Sequence, residues 1–84
     1  MELESKVKEV KTRQDLVEFI YALRQDLETN PDNWENPTLP RFLEALAAWI
    51  ESMDQFYRNQ GADFSEQQHW DIFATMLLAA RIYE

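Results

Sequence analysis

The groups able to do chemistry in this chain are one histidine, three serines and many carboxylates. His69 stands near an expected helix start, between Glu66 and Asp71, and reads as a solvated side chain. A metal centre wants several His, Cys or carboxylate ligands converging on one point. The chain has no cysteine and no second histidine, so no metal ligand set is expected. Ser5, Ser52 and Ser65 lack the strand-turn-helix context of an activated nucleophile. A phosphate cradle needs clustered glycines, and Gly61 is the only glycine. Two carboxylates doing acid–base work must face each other across a cleft. Glu44, Glu51 and Asp54 instead step along the outer face of one expected helix, with Asp54 and Arg58 placed for a local ion pair. Met53 and Met76 suit core or interface filling. The reading is therefore a protein that is not an enzyme, with no catalytic residue, no cofactor and no metal.

The elements that carry these residues are helical. The central one lies between Thr38, an N-cap residue type, and Gly61, which suits a left-handed C-terminal stop. Pro40 falls in its first turn, where a missing N–H costs little. Phe42, Leu46, Trp49, Met53 and Phe56 form one apolar stripe, with Leu39, Leu43, Ile50 and Tyr57 beside it. Ahead of it, Thr12 caps a helix expected over residues 13–28, with Asp15 favoured in the first turn by the helix dipole. Leu16, Phe19, Ile20, Leu23 and Leu27 are its core face, and Arg24 and Glu28 pair one turn apart. Asn30-Pro31 ends it, because a residue before proline is pushed out of the α region.

Residues 1–11 carry Leu3, Val7 and Val10 at the spacing of a short amphipathic helix, with an extended arm as the alternative. Ser65 and Gln68 form an expected capping box for a last helix over residues 66–83. That helix is apolar almost all round: Trp70, Phe73, Ala74, Leu77 and Leu78 on one side, Ile72, Met76, Ala79 and Tyr83 on the other. Such a helix is covered on most sides by its own chain or by another. The fold class is all-α, a small helical bundle of three main helices plus a short N-terminal helix, in a single domain over residues 1–84. Phe42, Leu46, Trp49, Met53, Leu23, Leu27, Phe73 and Leu77 are its expected core.

Charge limits the partners. Sixteen acidic residues face eight basic ones, a net charge of −8. Lys6, Lys8 and Lys11 are all the lysines, and Glu2, Glu4 and Glu9 balance them, so the net charge belongs to the chain after Lys11. An acidic surface repels phosphate backbones, which argues against nucleic acid and anionic membranes and for a basic protein partner. The most apolar run, residues 72–83, falls short of the roughly 20 residues of a membrane span. No signal-peptide pattern opens the chain. A cytoplasmic protein is expected.

Trp34-Glu35-Asn36, Phe42-Leu43-Glu44-Ala45-Leu46 with Trp49, Tyr57-x-Asn59-x-Gly61, Trp70-x-x-Phe73-Ala74 and Ala79-Ala80-Arg81-Ile82-Tyr83-Glu84 together resemble a family of short bacterial proteins of unknown function. The resemblance covers most of the chain after Thr12. It implies a small helical domain and brings no catalytic residue with it. In size, acidity and helical character the chain is also similar to immunity proteins that neutralise basic nuclease toxins, by analogy alone.

The expected role is therefore binding a protein partner, with an immunity or inhibitor-like function as the sharpest version. The candidate contact residues are Trp34, Glu35, Asn36, Glu44, Glu51, Asp54, Ile72, Met76 and Tyr83. Trp34 is either a lid on the core, its indole N–H partnered, or an exposed anchor. The alternative role is self-association through the last helix as a structural or regulatory module.

Overall fold

The computed structural model describes residues 3–61 and 69–83. Among them the chain is all-α, with helices α1 (Leu3–Val7), α2 (Arg13–Thr29), α3 (Leu39–Asn59) and α4 (Trp70–Ala80) and no strand. The arrangement of three main helices after a short N-terminal one agrees with the sequence. The chain divides into two compact units, Met1–Ala48 and Trp49–Glu84.

In the first unit α1 packs on α2. It is shorter than the amphipathic spacing suggests, and the reason lies at Thr12. That residue is extended (φ −128°, ψ 169°), and its hydroxyl accepts the Asp15 N–H. The Asp15 carboxylate reaches back to accept the Thr12 N–H at 3.2 Å and the Lys11 N–H at 3.0 Å. A full capping box thus fixes the backbone before α2 and stops α1 from running into it. Leu16, Phe19, Leu23 and Leu27 are half-buried, but Ile20 is 52% exposed. It lies about 100° round the helix from Phe19, the residue that sits beside the α1 segment.

Asn30 ends α2 and leads into a single 3-10 turn at Pro31–Asn33. The Thr38 carbonyl accepts the Phe42 N–H at 2.8 Å, which places Thr38 at the N-cap position of α3. At the other end of α3, the Gln60 and Gly61 N–H groups bond Tyr57 and Arg58 carbonyls in a tightened final turn. Gly61 has φ +74°, the left-handed value expected of it. A Cβ built there would meet no atom within 4 Å. Gly61→Ala should therefore lose only the conformational term, about 1 kcal/mol. Denaturant unfolding reads it, and an unchanged midpoint would show that the turn tolerates a side chain.

In the second unit, Trp49, Phe56 and Tyr57 contact in series on α3, with ring centroids 5.6 and 5.2 Å apart. Helix α4 opens later than the sequence suggests. His69 has φ −87° and ψ 68°, outside the helix, and makes no side-chain cap. The expected Ser65–Gln68 capping box lies outside the described residues. The Trp70 and Phe73 rings meet edge to face at 6.1 Å.

The expected core is corrected most. Among the described residues no side chain is fully buried. Leu23, Leu27, Leu46 and Met53 are half-buried, whereas Phe42, Trp49, Phe73 and Leu77 count as exposed. A short chain has a high surface-to-volume ratio, and wide apolar arcs on separate helices exceed what it covers.

Candidate partner-binding surface

Trp34, Glu35 and Asn36 are held by the end of α2. The Trp34 indole N–H donates to Asp26 Oδ2 at 2.7 Å. Asn30 Nδ2 donates to Asp26 Oδ1 at 3.2 Å and to Thr29 Oγ1 at 3.1 Å. The Asn30 N–H also bonds the Asp26 carbonyl at 2.7 Å. A carboxylate in the last turn of a helix opposes the dipole, and these donors offset that cost. The Trp34 ring lies against Phe42, centroids 6.3 Å apart. Trp34 is half-buried with its polar edge partnered, as the lid reading requires; Asn36 is half-buried and Glu35 exposed.

Glu44 and Glu51 are exposed on α3, and Asp54 is half-buried, its Oδ2 accepting from Arg58 at 2.8 Å. The second expected pair, Arg24–Glu28, forms at 2.9 Å. At 3.6 residues per turn Glu44, Glu51 and Asp54 fall on one flank of α3, beside its apolar arc. On α4 and beyond it, Ile72, Met76 and Tyr83 are all exposed, Tyr83 by 84%. His69 is exposed as well. Among the described residues no three His, Cys, Asp or Glu side chains converge as a metal site would need, and no helix is long and apolar enough to cross a membrane.

Sequence reasoning missed two residues here. Asp26 is one: a carboxylate one turn before a helix stop, with Asn at i+4 and Trp at i+8, is the readable signal for it. Asp15 is the other: beyond the dipole effect expected of it, it closes the capping box. It also faces a shallow cleft of about 140 Å³ lined by Lys6, Glu9, Val10, Asp15, Glu18 and Phe19.

A family model describing a family of unknown function, DUF7660, matches residues 12–84. The chain belongs to the DUF7660 family. The match begins at Thr12, the N-cap of α2, and takes in the Asp26–Trp34 contact, α3, the Gly61 turn and α4. Helix α1 and all three lysines lie before it. No curated protein and no solved structure matches the chain. The DUF7660 match thus supplies kinship and leaves the activity to be argued from the residues.

Proposed function

We propose that this DUF7660 chain is a cytoplasmic acidic module that binds a basic protein partner in the manner of an immunity or inhibitor protein, and that it is not an enzyme. The observation that carries this reading is the net charge of −8, all of it after Lys11, with Glu44 and Glu51 exposed beside an apolar arc of α3. Carboxylates at the rim of an apolar patch steer a basic partner, and the patch supplies the area it buries. Reversing Glu44, Glu51 and Asp54 to lysine should slow association about tenfold at low salt and flatten its salt dependence, because steering acts over roughly a 10 Å screening length. Stopped-flow association across ionic strength checks this. A rate indifferent to both salt and the three carboxylates would refute steering.

The exposure of Ile72, Met76 and Tyr83 favours a second reading, self-association through α4. Met76→Glu would then dissociate the oligomer by placing an unpaired charge in its interface. Light scattering of both chains decides it; a wild-type monomer removes the reading.

A further inference from the structure

We propose that residues 3–10 are a displaceable strap over α2, and that the face beneath the strap is the docking site for a basic amphipathic segment of the partner protein. This deepens the reading of an acidic module for a basic partner and rests on it.

Three observations meet at this place. Lys6, Glu9 and Val10 of the strap face Asp15, Glu18 and Phe19 of α2 across the cleft described above. The α2 side of that cleft is therefore two carboxylates one turn apart around a half-buried ring. The strap sets apolar Leu3, Val7 and Val10 at helical spacing, with Lys6 and Lys8 beside Glu4 and Glu9, so its own charge is balanced and only Lys6 answers the two carboxylates across the cleft. A basic amphipathic segment arriving from another protein would set more cations against Asp15 and Glu18, without the opposing Glu9, and its apolar side on Phe19. Lastly, the strap lies outside the family-matched residues, which begin at the α2 cap.

The strap is also built to leave. Helix α1 has five residues, far below the roughly 12 at which an isolated helix becomes marginal in water. Contact with α2 is what orders it, and Val7 remains exposed. Its C-terminal end is fixed by the Lys11 and Thr12 N–H bonds to Asp15, so those residues serve as the hinge.

The test uses the full chain and a labelled synthetic peptide of residues 1–11, read by fluorescence anisotropy. A tethered segment competes at an effective concentration on the order of millimolar, so the wild-type chain should bind the peptide weakly. Val10→Asp sets a carboxylate beside Glu9, Asp15 and Glu18 and should release the strap. Peptide affinity should then rise about tenfold or more, as the internal competitor is lost. Lys6→Glu releases the strap by charge alone and should act in the same direction. Adding Glu18→Lys to either variant should abolish the gain, and a peptide with its three lysines changed to glutamate should not bind. If both strap variants stay helical by circular dichroism and bind the peptide no better than wild type, the proposal falls. Equal binding of the lysine and glutamate peptides overturns it too. Neither outcome involves Glu44, Glu51 or Asp54, so steering along α3 would stand or fall separately.

Discussion

Asp26→Ala should destabilise the chain by about 1.5–3 kcal/mol, the range for losing hydrogen bonds to a charged group. One substitution removes the acceptor of the Trp34 indole and of the Asn30 side-chain amide together. The indole N–H is part-buried, so water restores it only in part. Asp26→Asn keeps one carbonyl oxygen for Trp34 and should fall between the two, since neutral hydrogen bonds are worth about half as much. Urea unfolding measures both, and Trp34 emission should shift to the red as its ring loses its hold beside Phe42. A loss for Asp26→Ala below about 0.5 kcal/mol, the size of an ordinary surface change, would mean the contact adds nothing to stability.

Removing the α2 cap should have the next largest effect. Thr12→Ala loses the hydroxyl that accepts the Asp15 N–H at 3.0 Å and should cost about 0.5–2 kcal/mol. Amide exchange at Asp15 should quicken before the rest of α2 does. The partner carboxylate gives a pH signature. The Lys11 backbone N–H, aided by Thr12, holds the Asp15 carboxyl below its ordinary value of 3.8. A depressed acid stabilises the fold fully above its unfolded value, and that contribution disappears as the pH falls through the folded value. Stability should therefore decline below pH 3.8, and Asp15→Asn should remove that part of the decline. An Asp15 carbon resonance titrating at or above 3.8 would contradict the geometry.

How much was legible followed the range of the interaction. Caps and stops are local, and they read well: Thr12, Asn30-Pro31 and Gly61 all fall where the structure puts helix ends. Arg24–Glu28 and Asp54–Arg58 are one-turn pairs and read equally well. The start of α4 did not: apolar periodicity has no sharp edge at its polar end, and His69 lies outside the helix, which opens at Trp70. Burial was the least legible. Periodicity says which residues share a face, as on Phe42, Trp49 and Phe56, but not how much of that face a neighbour covers. At the candidate surface the α3 carboxylates were expected on the outer face of one helix; Glu44 and Glu51 are exposed there, whereas Asp54 is half-buried. The Asp26–Trp34 bond was not legible, since it depends on the path of the loop between them.

The capping box has a consequence for how such a chain tolerates change at its front end. Asp15 asks only for backbone N–H groups at positions 11 and 12, and Thr12 answers with its own hydroxyl. Nothing about the lysine side chain at 11 enters that bargain. Any residue but proline, which has no N–H, could stand there and leave α2 equally well begun. Thr12 is thus a natural splice junction: leaders of different length and chemistry can be joined ahead of it without rewriting the helix behind.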